Sequence, residues 1–355
     1  MREGTYRIAL VLSGGNALGS WQAGAFEAMA ARGLRPDWVS GASTGAVNGA
    51  VIVGNPPEEA VARLRTFWSP TRTGSGWRSA ELDAWRRSVA ASAALAAGRP
   101  DAFAPRPFFG QPWAGDGGPS PSLFDTRPLG ATLARDVDWD RVNGGTVRFT
   151  VTAVDLLSGL DATFDNTSER LGPDHVRASA ALMPAFPPVQ IDERWYVDPG
   201  LSANLPADAV LADPGTEPML VIALDLLPLS APKPATLGEA AGRLQDLTFA
   251  MQSRRAVDAW KTVYDLHGRA APAVTFARLS YSDQHREVAG KAFDFSAESA
   301  GERWAAGAAG MHAFLDRLAR GEVPIGEPGL TVWQDPDEAP LLQDTFRIRT
   351  AGRAD

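Results

Sequence analysis

Residues 6–12, Tyr-Arg-Ile-Ala-Leu-Val-Leu, run almost without polar interruption into Ser13-Gly14-Gly15. A short continuous apolar run closed by a glycine turn predicts a strand buried on both faces of a parallel sheet. From Gly19 to Arg32 the spacing becomes helical, with Ala23, Phe26 and Ala30 on one face and Gly33 as the stop. Asp37-Trp38-Val39-Ser40 predicts a second short strand. Thr44 to Val53 predicts an apolar, small-residue helix that ends at Gly54-Asn55-Pro56-Pro57. Strand, helix, strand, helix at this spacing implies a parallel sheet joined by right-handed crossovers.

Between Ser69 and Ser122 the periodicity fails. Gly and Pro are frequent there, and Trp77, Trp85, Phe103, Phe108, Phe109 and Trp113 recur around one predicted helix at about 79–97. Such an insertion reads either as a lid or binding loop, or as a structural cap whose aromatics are simply buried. Regular pattern resumes at Asp125. Strands are predicted at 146–154, 189–191, 195–197, 219–226 and 273–279, and helices at 174–183, 239–267 and 297–320. The Pro-, Ala- and Ser-rich stretch 229–237 reads as a linker. A division follows: a catalytic domain at 1–228 with its irregular insertion at 69–122, then a mainly helical extension at 229–355. The Pro- and Asp-rich chain after Pro324 is expected to loop over the surface.

Composition narrows the function. The chain has 355 residues, a net charge of −8 and no cysteine. An acidic chain with scattered arginines excludes broad phosphate binding and hence nucleic acid as a partner. Without cysteine there are no disulfides, thiolate metal sites or cysteine nucleophiles. No secretory leader and no run of about 18 apolar residues is seen. The expectation is a cytoplasmic protein that touches membranes peripherally. No metal-binding motif occurs, so neither metal nor cofactor is expected.

The chemistry concentrates at three turns. Gly41-Ala42-Ser43-Thr44-Gly45 has the G-x-S-x-G form that sets a serine on a tight strand-to-helix corner, with the following helix pointing its positive end at the reacting centre. Ser43 is therefore the expected nucleophile. Gly14, Gly15 and Asn16 follow the first strand, and their backbone N–H groups are the expected oxyanion donors. The same glycines invite a nucleotide-binding reading. However, Asn16 stands where G-x-G-x-x-G needs its second glycine, and only Asp37 offers the acidic partner.

A serine needs a base. None of the four histidines, His175, His267, His285 and His312, ends a buried strand. Asp198 does, in Trp195-Tyr196-Val197-Asp198-Pro199-Gly200. An aspartate of ordinary pKa about 3.9 is a feeble base, and desolvation raises it. The plainer reading of Asp198 is a turn residue capping its own backbone. Asp155 and Asp225 also follow strands and are expected to support loops.

Taken together, S-G-G-N-A-L-G at 13–19, G-A-S-T-G at 41–45 and D-P-G at 198–200 resemble the patatin-like phospholipase family, as does R-A-S-A-A-L-M-P-A-F-P-P-V at 177–189. The match covers roughly residues 7–208. The resemblance implies a three-layer α/β/α fold with a central, mainly parallel sheet. It also implies lipid acyl hydrolysis by a Ser43–Asp198 dyad, with Gly14, Gly15 and Asn16 forming the oxyanion hole. The implied substrate is a fatty-acyl ester, including phospholipid. The chain departs from the family pattern in three places. Asn16 replaces a common third glycine, Leu18 stands where Arg or Lys is frequent, and Pro199 follows the aspartate where glycine is usual. Two other readings remain at this point: a nucleotide-binding oxidoreductase, and a catalytically silent binding protein with the same fold. Acyl length, head group and oligomeric state are not written in any motif.

Overall fold

The computed structural model describes residues 6–69, 79–106 and 122–335. Trp77, Phe108, Phe109 and Trp113 of the predicted insertion lie outside these residues. The first unit follows the apolar pattern closely: strand β1 (Arg7–Leu12), helix α1 (Gly19–Ala31), β2 (Trp38–Ala42) and α2 (Thr44–Val53). Helices α3 (Pro57–Trp68) and α4 (Ala80–Ala97) come next, then a two-residue ladder of β3 (Ala104–Pro105) with β4 (Phe124–Asp125). Helices α5 (Arg127–Asp136) and α6 (Trp139–Asn143) lead into β5 (Arg148–Asp155) and β6 (Asp161–Asp165). Helix α7 (Pro173–Ser179) precedes the hairpin of β7 (Val189–Ile191) and β8 (Arg194–Val197). After it come α8 (Gly200–Ala203), α9 (Asp208–Ala212) and β9 (Met219–Asp225). The remaining elements are α10 (Leu237–His267), β10 (Ala273–Ser280), α11 (Ala297–Ala319) and β11 (Gly329–Gln334).

The sheet runs β11-β10-β9-β1-β2-β5-β8-β7, with β6 beside β5. Every ladder from β11 to β5 is parallel; β6, β7 and β8 are antiparallel. The strands of the C-terminal third thus continue the same sheet, with β10 beside β9 and β11 beside β10. The Pro324 tail expected to be surface loop instead contains β11, which is pinned along β10 from Gly329 to Gln334.

Strand pleat explains the layers. Ile8, Leu10 and Leu12 point into the larger core, together with Leu220, Ile222 and Leu224 of β9, against α1, α2, α3 and α11. Ala9 and Val11, with Val221 and Ala223, point the other way, against α9 and α10 through Val210, Val257 and Tyr264. Strands covered on both faces have no room for polar alternation, which is why β1 and β9 read as unbroken apolar runs.

Helix α1 shows how burial exceeds a one-face expectation. Ten of its residues are buried, because α11 lies across its outer side. The two helices meet at glycines. A Cβ at Gly24 would lie 2.0 Å from the Trp304 carbonyl oxygen, and one at Gly307 would lie 1.9 Å from that of Trp21. Only bare backbone permits this approach. Among the described residues, no helix is long and apolar enough to cross a membrane.

Candidate active site

Ser43 sits between the end of β2 and the start of α2 with φ 53° and ψ −123°. A non-glycine residue there carries backbone strain of roughly 1–3 kcal/mol, held by its surroundings. Gly45 is one reason the corner closes, since a Cβ on it would stand 2.1 Å from the Leu12 carbonyl oxygen. Ser179, at the end of α7, is another. Its hydroxyl oxygen accepts the Ser43 N–H at 2.8 Å and donates to the Thr152 carbonyl of β5 at 2.6 Å.

Asp198 follows β8 and reaches the same cavity, which Ser43 and Asp198 both line. The Ser43 side chain stands close enough to the Asp198 carboxylate to favour its charged form. The Gly200 N–H donates to Asp198 Oδ1 at 2.7 Å, the contact that the turn-capping reading of this residue expects. Burial pushes the carboxyl up to about 6, against the opposing influence of the Ser43 side chain and the Gly200 N–H. A carboxylate so placed holds a proton near neutral pH far better than one in water.

The glycine turn after β1 lies against this pair. Gly14 packs so closely that a Cβ on it would be 3.1 Å from Ser43 Cβ. Its amide, however, is already engaged, donating to the Asn204 carbonyl at 2.9 Å. Asn204 comes six residues after Asp198, so the returning chain takes up that donor. Gly15 and Asn16 line the cavity together with Thr44, the first residue of α2. No hydrogen bond engages the N–H groups of Gly15, Asn16 or Thr44 among the described residues. Asn16 holds φ 51°, a left-handed conformation that asparagine tolerates better than most residues. The oxyanion donors expected at Gly14, Gly15 and Asn16 are thus reduced by one within that turn. Thr44 brings an orphan helix N-terminal amide to the same place.

Buried amides brace the arrangement. Gln22 Nε2 donates to the Ser13 and Leu224 carbonyls at 2.9 and 3.1 Å. Asn48 Nδ2 donates to Gln22 Oε1 at 3.0 Å, and Trp68 Nε1 donates to Asn48 Oδ1 at 2.9 Å. From α11, fully buried Arg303 donates to the Ala17 carbonyl at 3.1 Å while pairing with Glu287. Phe249 of α10 and Phe293 also line the cavity, and Phe249 packs on Gly200 beside Asp198. The site therefore draws on residues far beyond 228. Phe103 belongs to both readings of the insertion: it is buried against Phe124 and Phe186, and it lines the cavity.

The competing acids and bases are placed elsewhere. None of the four histidines lines the cavity. Asp155 accepts the N–H groups of Leu157 and Ser158, and Asp225 is paired with Arg278. Asp37 precedes β2, and its carboxylate accepts the Ile8 N–H at 2.8 Å. That puts it at the opposite end of β1 from the glycine turn.

A family model described as patatin-like phospholipase matches residues 10–211. No curated protein matches the chain. Among solved structures, one similar chain is described as the crystal structure of VipD from Legionella pneumophila. It is 12% identical with a TM-score of 0.39, over 91% of this chain and 68% of that one.

Proposed function

Because this chain belongs to the patatin-like phospholipase family, a family of lipid acyl hydrolases, we propose that it cleaves fatty-acyl esters through a Ser43–Asp198 dyad. Asp198 accepts the Ser43 proton as Oγ adds to the ester carbonyl. The amides of Gly15, Asn16 and Thr44 hold the oxyanion. Collapse expels the alcohol, which leaves with the proton from Asp198, and an acyl-enzyme remains. Asp198 then deprotonates a water that attacks the acyl carbonyl, and Ser43 is regenerated as the fatty acid departs.

The observation that carries this reading is the meeting of two side chains 155 positions apart at one cavity, close enough for the serine to act on the carboxylate. The cavity wall supports a lipid substrate: Val47, Leu129, Leu182, Leu227 and several phenylalanines suit an acyl chain. Contact with a lipid surface is part of the proposal, supported by Leu82, Trp85 and Val89, which stand exposed along one side of α4.

A fluorophosphonate probe tests the dyad. Wild type should be labelled covalently and should hydrolyse p-nitrophenyl esters; Ser43→Ala should lose both, and Asp198→Asn should lose turnover. A folded wild type that neither labels nor hydrolyses esters from short to long chain would sink the proposal.

A further inference from the structure

Of the described side chains lining the cavity, Asp198 and Arg99 are the ionisable ones. Arg99 follows Gly98, which ends α4, in a tight loop where its N–H donates to the Phe103 carbonyl at 2.7 Å. Its guanidinium carbon lies 4.3 Å from the ring centre of Phe67, 4.7 Å from Phe295 and 5.3 Å from Trp68. Nη2 donates to the Phe67 carbonyl. Among the described residues, Nε and Nη1 have no hydrogen-bond partner.

The contrast with the other interior arginines is the point. Arg87, Arg278 and Arg303 are all buried, and each has carboxylates at ion-pair distance: Asp83 and Glu287, Asp225, and Glu287 respectively. Arg99 has no such pairing among the described residues; Asp101 is the carboxylate whose field reaches it. Burial pulls its pKa down to about 10, so the group stays charged at neutral pH. A desolvated cation without a counter-charge is costly, and aromatic faces offset only part of that cost. A planar fork with free N–H groups, opening on the cavity of the reacting serine, fits a phosphate or carboxylate oxygen pair.

We propose that Arg99 is the anion-recognising residue of this cavity, so that the preferred ester carries a negatively charged oxygen group within reach of its guanidinium. The inference rests on the hydrolase reading and names its substrate class. Two sources present that chemistry: a phosphate on the alcohol side, as in a phospholipid, and a carboxylate on the acyl side, as in a dicarboxylic half-ester.

Matched pairs of substrates separate them. Mono-p-nitrophenyl adipate against p-nitrophenyl hexanoate reads the carboxylate. Dioctanoyl phosphatidic acid against dioctanoylglycerol reads the phosphate. In wild type, kcat/KM should favour the anionic member of at least one pair. Arg99→Met should cut that preference by about tenfold or more, with Arg99→Lys between the two. Taking a ratio within each variant cancels any loss of folded protein. A preference unchanged within about twofold in Arg99→Met overturns the proposal. Thermal stabilisation of Ser43→Ala by hexyl phosphate, set against hexanol and repeated with Arg99→Met added, gives a readout without turnover. Stabilisation by hexyl phosphate that needs Arg99, in a protein that cleaves no ester, would sink the hydrolase reading and leave the anion site standing. Ester cleavage with no Arg99 dependence in either assay would do the reverse.

Discussion

The N–H of Ser43 donates to the hydroxyl of Ser179 at 2.8 Å, and that hydroxyl passes its own proton to the Thr152 carbonyl at 2.6 Å. A strained corner is thereby tied to the neighbouring strand through one small side chain. Ser179→Ala leaves the Ser43 amide without that acceptor, at a cost of about 1–3 kcal/mol. The expected result is a tenfold or larger drop in kcat with KM changed little, since the corner and not the acyl-binding wall is loosened. Kinetics on a long-chain ester check it, with circular dichroism to confirm folding. A wild-type kcat would show that the corner holds without the serine.

Asp198 predicts two opposite pH responses. Its carboxyl is pushed up to about 6 by burial, against 3.8 without it. As a base it must be ionised, so kcat/KM should fall tenfold per pH unit below about 6. Stability runs the other way. Between pH about 4 and about 6 the folded chain keeps a proton that the unfolded chain releases, so stability decreases as pH rises through that window. Asp198→Asn removes the penalty and should be inactive, yet more stable than wild type at pH 7 by about 3 kcal/mol. Urea titrations at pH 4 and pH 7 measure this; equal differences at both pH values would contradict it.

Arg303 joins the C-terminal third to the glycine turn. Its guanidinium pairs with Glu287 and donates to the carbonyls of Asp294 and Ala17, all out of solvent. Arg303→Met strands part of that buried charge and should cost about 3–5 kcal/mol. The urea midpoint should fall sharply, and probe labelling of the remaining folded protein should slow as the Ala17 segment loosens. An unchanged midpoint would mean that Arg87 alone satisfies Glu287.

On α4, Trp85 is 67% exposed, with Leu82 and Val89 one turn to either side. If this stripe meets a lipid surface, Trp85→Glu should weaken cosedimentation with phosphatidylcholine vesicles several-fold and leave hydrolysis of a soluble short-chain ester untouched. Equal vesicle binding by the two proteins would remove α4 from that role.

What the sequence revealed and what it hid divide along a physical line. Ser43 and Asp198 stand in local turns whose shape is set by the glycines and proline beside them, so their placement at strand ends is legible from a few residues. The unbroken apolar runs of β1 and β9 likewise report burial directly. Asn204, Arg99 and Arg303 carry no such local mark, and Ser179, although it lies in the recognisable 177–189 segment, shows nothing there of its tie to Ser43. Each matters through a partner 27 to 286 positions away, or through rings brought in from α3 and the loop before α11. The Gly14 amide is hidden for the same reason: nothing near it announces that the Asn204 carbonyl will come back to meet it. Strand β11 escaped because six residues between glycine-rich and proline-rich stretches show little pattern, and β10 supplies the template that orders them.

The position of β9 bears on how the polypeptide tolerates shortening. Residues 10–211 contain Ser43, Asp198 and the glycine turn, yet the strand that flanks β1 on its other side begins only at Met219. A fragment stopped at 211 would leave Ile8 to Leu12 as a naked, wholly apolar margin open to pairing with any passing chain. Such a piece should precipitate on expression; trimming after Gln334 leaves every strand of the sheet among the described residues its neighbours.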